Sequence, residues 1–570
     1  MAYQLSPGVA WSEVDLTTIV PSLSTTAGGF VGNFAWGPIN EVKPIANELE
    51  LVDMFGKPNS NTYVDFYTAA NFLSYAQSLQ LVRAANTLVA LNATSGTNAV
   101  LVKNQDDYET QYIDIPVTSA DYGMFAAKYP GTLGNSIKVA VYAGSNAAAF
   151  PSWTYAGQFE GAPSTSNYVT NVAGANDEMH IIVIDSSGAF SGGRANTVLE
   201  KFPFVSKAVD AKNDDGSSNY YVNVLNQRSK YVYAMNHAMD ANNTSETTTW
   251  GLAAHGTRFA QDSASYNWTL ANGVDGTPTD GDLELAYDLF NKVDEVDVSL
   301  LMTGGHSQTV SAYVITNVAE VRKDCVAFVS PLMADVVNNA GSEVADILSY
   351  RADFTASNYA FMDSAWKKQF DKYNNVYRWV PLNGDIAGLC ARTDFTRDAW
   401  FSPAGFNRGQ IKNVTKLSWT PQQGERDTLY KASVNPVVTF KGEGTILYGD
   451  KTLVDKPSAF DRINVRRLFI TLERTVSKAA KYSLFEFNDE FTRSQFVALV
   501  EPFLRDVKGR KGIFDFKVVC DETNNTPEVI DTNRFVGDIY IKPARSINFI
   551  QLNFVAVQSG VAFSEVVGKF

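Results

Sequence analysis

The sequence predicts a multidomain protein that combines α/β and α+β folds, and three observations support this. In the middle of the chain, apolar helical and strand segments alternate, which is typical of parallel βαβ units. Residues 97–279 are instead rich in Asn, Ser, Thr, Gly and Asp between short apolar strands. Residues 461–557 read as two amphipathic helices followed by three strands. At 570 residues, the chain is long enough for several domains.

The α/β segments lie on both sides of the loop-rich region. They are a small-residue strand at 28–32, a helix and a buried strand within 64–82, a helix at 283–290, a strand at 298–302, a helix at 310–322 and a strand at 325–329. Because the alternation resumes after residue 279, we predict that 97–279 is an inserted, surface-exposed β domain. Its strands include the apolar run 181–184.

Two amphipathic helices are predicted in the C-terminal region. Ser458 and Asp461 resemble a capping box for the first helix. Asn488 is the predicted N-cap and Gly509 the predicted C-cap of the second helix, and Pro502 should kink that helix or shift its start. Each helix has one apolar stripe at helical spacing: Leu468, Leu472, Val476 and Ala479 in the first, and Phe496, Leu499, Val500, Phe503, Leu504 and Val507 in the second.

Strands follow these helices up to the end of the chain. Residues 513–520 and 535–541 are β-rich, and Pro543 should end the second run. A third strand is predicted where Ile550, Leu552 and Phe554 alternate with polar residues. The chain continues past Ser559-Gly560 into another short alternating segment, which indicates a strand intended for another chain. Residues 1–22 include a short strand-like run from 9 to 14 and are predicted to form an extended arm. The pattern favours assembly over catalysis.

Composition and charge exclude several classes of protein. Residues 1–455 carry 30 Lys and Arg against 47 Asp and Glu, a net charge of −17, which disfavours direct binding of nucleic acid. Residues 456–545 carry 16 and 13, a net charge of +3. Three separated cysteines without a CxxC motif favour buried free thiols in a reducing compartment. Apolar runs are too short to span a membrane, and the first ten residues lack signal-peptide features, so we expect cytoplasmic synthesis.

Motifs for chemistry are few. The sequence has no P-loop, HExxH or GxSxG motif, and the glycines at 28–32 lack dinucleotide-binding spacing. His306 and Ser307 follow a predicted strand, where α/β active sites occur, but a turn is the favoured interpretation. Asp275, Asp280, Asp282 and Glu284 could bind a cation, although a solvated loop is favoured and Asp282 could N-cap a helix. We therefore expect no catalytic residues, cofactor or metal.

Several stretches together resemble the tail sheath proteins of contractile-tailed bacteriophages. The resemblance covers about residues 1–95 and 280–570 and is weakest across the insertion. It is carried by Ser6-Pro7-Gly8-Val9, Val20-Pro21, Phe30-Val31-Gly32, Trp36-Gly37-Pro38, Val296-Asp297-Val298 with Leu301, Arg322-Lys323-Asp324-Cys325, Gly388-Leu389-Cys390-Ala391-Arg392 with Asp394, Pro403-Ala404-Gly405, Asn435-Pro436, and residues 461–554, including Asn464-Val465-Arg466-Arg467-Leu468 and Asp521-Glu522-Thr523-Asn524-Asn525-Thr526-Pro527.

The resemblance implies a subunit that stacks as hexameric rings around a tail tube and contracts to drive the tube through the host envelope. Its expected partners are further copies of itself, the tube protein, and baseplate and tail terminator proteins, without nucleic acid or membrane insertion. The implied location is the virion tail, after assembly in the host cytoplasm. Terminal arms should complete a sheet in neighbouring subunits; we assign this role to strands containing Val9, Trp11, Val14, Ile550, Leu552, Phe554, Val561 and Phe563.

The expected layout follows from the resemblance and the changes in composition. It consists of an N-terminal arm at 1–22, a middle α/β domain at 23–96 and 280–420, an outer inserted domain at 97–279, an inner sheath domain at 421–545, and a C-terminal strand and arm at 546–570.

Two alternatives remain open. One is the sheath of a bacterial contractile injection system, which short motifs separate poorly from a phage sheath. The other belongs to a different class: an α/β enzyme with a site near His306, Ser307 and Asp282.

Overall fold

The computed structural model describes residues 25–112, 122–144, 148–237, 249–261, 265–548 and 551. This part of the chain divides into two compact units, a large one within residues 21–478 and a small one within residues 479–570. The strands of the large unit are β1 (Gly28–Gly32), β2 (Lys43–Ile45), β3 (Leu79–Arg83), β4 (Phe125–Ala127), β5 (Ile137–Tyr142), β6 (Glu178–Asp185), β7 (Thr197–Ser206), β8 (Val232–Ala234), β9 (Tyr266–Thr269), β10 (Leu300–Met302), β11 (Val326–Val329), β12 (Ala360–Met362), β13 (Trp366–Asp371), β14 (Val376–Pro381), β15 (Lys416–Leu417), β16 (Val437–Phe440) and β17 (Gly444–Leu447).

Helices of the large unit come mostly between these strands. They are α1 (Glu48–Phe55), α2 (Tyr63–Leu73), α3 (Gln105–Gln111), α4 (Asn167–Asn171), α5 (Tyr221–Arg228), α6 (Asp280–Tyr287), α7 (Gln308–Tyr313), α8 (Glu320–Arg322), α9 (Met333–Val336), α10 (Glu343–Ala352), α11 (Asn383–Thr396), α12 (Gln423–Lys431) and α13 (Ile463–Ala480). A π-helical segment, Val314–Ala319, joins α7 to α8, so the chain is helical throughout 308–322.

A six-stranded sheet organises the large unit, in the order β12-β11-β10-β1-β3-β2. Five of its strands are parallel, and only the edge strand β2 is antiparallel. The predicted βαβ alternation is therefore confirmed. Strands β1 and β3 precede the loop-rich region and β10 to β12 follow it, so the sheet joins two distant parts of the chain.

Both faces of this sheet are covered, which explains why its strands are apolar without alternation. Phe30, Leu81 and Phe328 face one side and pack with residues of α2 and α11. Val31, Val82 and Ala327 face the other side and pack with α6, the helix at 308–322 and α10. The middle of the large unit is thus a three-layer α/β sandwich.

Glycines in α11 allow it to pack closely against α2 and the residues that follow α2. A Cβ atom at Gly384 would lie 2.4 Å from the backbone oxygen of Thr68, and one at Gly388 would lie 2.5 Å from Cδ2 of Tyr75. Larger residues at these positions would force the two segments apart, which explains the glycine spacing in this helix.

Residues 97–279 contribute mainly antiparallel strands. A four-stranded sheet has the order β7-β6-β5-β9, and β4 pairs with β8. Val139, Ile181 and Val183 are buried on one face of the larger sheet and Ile182 and Ile184 on the other. The predicted strand at 181–184 is therefore confirmed as part of β6. The loop after β6 is organised by Asp185, whose carboxylate accepts hydrogen bonds from the backbone amides of residues 188–191.

The small unit consists of α14 (Glu490–Gly509), β18 (Ile513–Val519), α15 (Pro527–Asp531) and β19 (Asp538–Pro543). The predicted stripe of α14 supplies its core, with Phe496, Val500, Leu504 and Val507 buried and Leu499 and Phe503 half-buried. The helix continues through Pro502. Strands β18 and β19 confirm the first two predicted C-terminal strands, while the third, at Ile550 to Phe554, lies outside the described residues apart from Gln551.

Several predicted helix ends are wrong by a few residues. Helix α13 begins at Ile463, and Ser458 instead accepts a hydrogen bond from the amide of Phe460. The N-cap of α14 is Asp489, which accepts from Thr492 N, whereas Asn488 donates to the carbonyl of Arg534.

Gly509 is the last helical residue of α14 rather than its cap, and the left-handed conformation falls on Lys511. Asp282 is not the N-cap of α6. Thr279 holds that position, and Asp282 completes a reciprocal capping box with it. For α6 and α14, a neighbouring residue with equivalent polar chemistry supplies the N-cap.

Replacing Gly384 by Ala should destabilise the large unit by about 1–3 kcal/mol, because the new methyl group meets rigid backbone of α2. Gly424→Ala is the matched control. Gly424 is also the second residue of its helix, and a Cβ there meets nothing within 4 Å. That control should be neutral or stabilising by up to about 1 kcal/mol. Urea titrations of both variants check this, and equal stabilities would contradict the close-packing explanation.

Asp363 should make stability depend on pH. Its carboxylate accepts from Ser330 Oγ at 2.6 Å and from Ala365 N at 3.1 Å, and burial raises its pKa to about 8. Between about pH 4 and 8, Asp363 is therefore protonated in the native state but ionised in the unfolded state. The free energy of unfolding then falls as pH rises. Asp363→Asn should flatten this slope by roughly 1 kcal/mol per pH unit between pH 5 and 7. Urea midpoints across that range provide the measurement; an unchanged slope would contradict the assignment.

Candidate functional site

The residues predicted to form inter-subunit strands are not among those that the structure describes. Val9, Trp11, Val14, Ile550, Leu552, Phe554, Val561 and Phe563 all lie outside the described residues. A surface that could receive such strands, the β18–β19 sheet, lies in the small unit.

The small unit presents a two-stranded antiparallel sheet. Strands β18 and β19 pair from Ile513↔Pro543 to Val519↔Asp538, with an irregularity between Ile513 and Asp515. Within the described ranges, neither strand has a second partner, so each leaves one edge unpaired. Unpaired edges are templates for strand addition, and two strands alone are marginally stable in water.

The two faces of this sheet are also poorly covered. Phe514 and Tyr540 are 67% and 60% exposed. Phe516, Val518 and Ile541, which lie on the face opposite to Tyr540, are only half-buried. Exposed aromatic side chains beside an open edge indicate a surface that further strands would cover.

Asparagines hold the connection between β18 and β19 in place. Asn525 is buried, and its side chain exchanges hydrogen bonds with the backbone of Val536, accepting from N at 2.9 Å and donating to O at 2.8 Å. Asn524 donates to the carbonyl of Val519 at 2.8 Å, and Asp521 accepts from Thr523 N. These contacts give the Asp521 to Pro527 motif a role, because they close the loop that sets the two strands side by side.

Two other stretches that carry the family resemblance meet in the large unit. Arg467 of α13 donates two hydrogen bonds to the carboxylate of Asp394 in α11, and Thr25 Oγ1 donates to the same carboxylate. The Arg467 and Asp394 side chains are almost fully buried, at 3% and 7% exposure. A bidentate buried pair of this kind fixes α13 against both α11 and the segment before β1. Both motifs are visible in the sequence, but nothing in their spacing indicates that they pair.

Two arginines connect further segments that carry the family resemblance. Arg322 pairs with Asp324 and donates to the carbonyl of Val296. Arg474 pairs with Asp297 and donates to Ser299 Oγ. The segment 296–299 is therefore held by cations from two different helices.

The residues of the alternative enzyme site make hydrogen bonds, stacking contacts and helix caps within the fold. His306 lies at the carboxyl ends of β1 and β10, the switch point where a doubly wound sheet would bind a ligand. Its Nε2 is 2.8 Å from the carbonyl oxygen of Val31, and its ring stacks on Phe30. Ser307 is the N-cap of α7 and donates to Asp280. Protein side chains thus occupy this crevice, and Asp282 is engaged in the capping box of α6.

The acidic loop is likewise engaged in structural contacts. Asp275 accepts from the backbone N and the Oγ1 of Thr132, both at 2.8 Å. No group of three or more His, Cys, Asp or Glu side chains in the described part of the chain is placed to hold a metal ion. The three cysteines are free and buried, as predicted. Among the described helices, none is both long and apolar enough to cross a membrane.

Comparisons with known proteins agree with this picture. The family described as the phage tail sheath protein central domain matches residues 279–453, and the phage tail sheath C-terminal domain matches residues 455–556. The tail sheath protein of Vibrio phage KVP40 is 34% identical over 677 aligned residues, covering 99% of this chain and 100% of that protein. The tail sheath protein of Enterobacteria phage T4 is 34% identical over 666 aligned residues, covering 99% of both.

A solved structure shows the same fold. The sheath tail protein from Listeria innocua aligns with a TM-score of 0.52 at 11% identity, covering 91% of this chain and 94% of that chain. These similarities define a structural protein of contractile bacteriophage tails rather than an enzyme. The chain belongs to the phage tail sheath protein family, and it is a component of the virion tail.

Removing Arg467 should destabilise the large unit. Arg467→Met leaves Asp394 buried without its cation, which costs about 3–5 kcal/mol. The control is Lys372→Met. Lys372 is 58% exposed and lies 3.0 Å from Glu48, so its loss should cost less than about 1 kcal/mol. Urea titrations monitored by tryptophan fluorescence compare the two variants. Similar losses in both would show that the buried pair does not hold the helices together.

Proposed function

We propose that this protein is the sheath subunit that stacks as hexameric rings around the tail tube and contracts to drive the tube through the host envelope. The observation that carries the proposal is the two-stranded sheet of the small unit, whose edges are open within the described residues. It occurs in a chain that matches phage sheath proteins from end to end. That whole-length match to phage proteins favours a phage tail over an injection system.

In this proposal, terminal strands of neighbouring copies complete the β18–β19 sheet. The donated strands are those containing Val9, Trp11 and Val14 at the N-terminus and Ile550 to Phe563 at the C-terminus. A strand with roughly six hydrogen bonds, each contributing about 1 kcal/mol, holds a neighbour by several kcal/mol. Repeated through a sheath, such contacts keep subunits joined while other surfaces rearrange.

Contraction is then a repacking of nearly rigid subunits. The large unit has buried cores on both faces of its six-stranded sheet, which suits movement as a rigid body. The extended sheath is kinetically trapped until the baseplate releases one end. Heterologous contacts that do not close into a single ring build the helical stack. No nucleotide-binding motif is present in the sequence, so the energy is stored in assembly.

The proposed layout assigns each region a place. Residues 1–22 and 546–570 are arms, 421–545 lie innermost against the tube, 23–96 and 280–420 form the middle domain, and 97–279 face outward. The tube, the baseplate and a tail terminator are the further partners, and assembly takes place in the host cytoplasm.

Deleting Ser559–Phe570 should leave a folded monomer that cannot polymerise, because the donated strand is lost. A second variant that carries these residues in scrambled order tests whether the alternating pattern, rather than length, is required. Negative-stain electron microscopy at rising concentration, with and without tail tube, gives the readout, and circular dichroism checks folding. Striated cylinders from the intact chain alone would support the proposal. Normal cylinders from both variants would contradict the assignment of the C-terminal arm. If the intact chain formed no cylinders even with tail tube present, that result would count against the sheath function.

A further inference from the structure

We propose that Lys367 and Asp385 condense spontaneously into an intramolecular isopeptide bond that joins β13 to α11. The two side chains are in contact, with Lys367 Nζ 2.9 Å from Asp385 Oδ1. Both are 0% exposed, so the pair is fully shielded from water. The proposal is independent of how the subunit assembles.

The surroundings lower the cost of converting the ion pair into the neutral amine and acid. Burial is the main influence on both groups, lowering the pKa of Lys367 and raising the pKa of Asp385. A proton passing from Nζ to the carboxylate gives a nucleophilic amine beside a carboxylic acid, the two forms that condensation requires.

The two oxygens of Asp385 differ in their contacts. Oδ1 accepts from Lys367 Nζ and from the hydroxyl of Tyr75 at 3.1 Å. Oδ2 is buried and has no hydrogen-bond partner among the described residues. This asymmetry makes Oδ1 the oxygen that is retained and Oδ2 the oxygen that leaves. Loss of Oδ2 also removes a buried acceptor that the fold leaves unsatisfied.

Tyr75 is held where it can stabilise the transition state. Its hydroxyl accepts from Lys412 N at 2.7 Å, and the Lys412 ammonium lies 4.5 Å from the centre of its ring. Gly388 of α11 gives the ring room to approach. A fixed O–H aimed at Oδ1 acts as an oxyanion donor when negative charge develops on that atom.

The reaction balances without any further reactant. The lone pair of the neutral Lys367 Nζ forms a bond to Cγ of Asp385, and the C=O electron pair moves to Oδ1. Collapse restores the C=O bond and breaks Cγ–Oδ2. Oδ2 leaves as water with two protons, namely the one that the amine first gave to the carboxyl group and a second one released from Nζ as the amide forms. Nothing is oxidised or reduced, and a site closed to water disfavours hydrolysis of the product.

Mass spectrometry of the purified full-length protein tests this proposal. The intact mass should be lower than the sequence mass by one water molecule. Trypsin should fail to cleave after Lys367 and should release residues 352–368 joined to residues 379–392. The exposed pair Lys372 and Glu48, with the same type of contact at 3.0 Å, is an internal control that should remain unlinked.

Variants separate the bond from a simple ion pair. Lys367→Arg keeps a cation but lacks the amine nucleophile, so the mass deficit should disappear. Tyr75→Phe should slow bond formation in freshly made protein without abolishing it. If either variant fails to fold, the intact chain still decides. A full sequence mass, with free peptides 352–367 and 379–392, would overturn the proposal, as would a mass deficit that persists in folded Lys367→Arg.

Discussion

The large unit depends on the pairing of β1 with β10, since this contact joins the segment before the loop-rich region to the segment after it. Gly28 and Gly29 lie opposite Leu300 and Leu301, and a Cβ at Gly29 would lie 2.7 Å from a methyl group of Val298. Small residues there let the two halves close into one sheet. The helices on both faces, and the arginine contacts at the sheet margins, follow from that closure.

The same closure explains why the described residues leave no open ligand site at the switch point of this sheet. The reversal of strand order between β1 and β10 creates the crevice that many enzymes use. Here Phe30, His306 and the buried carboxylate of Asp65 occupy it, and Asp65 accepts from the amide of Asn33 at 2.7 Å. The fold class alone would have suggested a ligand site, and the side chains that fill the strand ends argue against that interpretation.

The two units differ in how far their apolar faces, charges and strand edges are covered or paired. The large unit buries its sheet on both faces and neutralises its charges in pairs such as Arg467 with Asp394. The small unit leaves strand edges unpaired and aromatic residues exposed within the described ranges. A rigid body with an unfinished sheet suits a subunit whose stability is completed by its neighbours. An internal covalent tie between β13 and α11 would let such a body transmit force without opening.

The sequence by itself determined the alternation of helices and strands, the buried stripes of α13 and α14, the free cysteines and the family. These depend on local periodicity or on the order of short motifs, and both are visible in one dimension. The sequence did not determine the helix ends, since Thr279 and Asp489 compete with nearby residues of equivalent capping ability. The third C-terminal strand and the terminal arms remain predictions. Only the tertiary structure decided which distant residues meet: Arg467 with Asp394, Lys367 with Asp385, and His306 with the end of β1. Such pairs form because the packing of whole helices and strands brings their side chains together. The spacing of residues along the chain does not indicate which elements will pack.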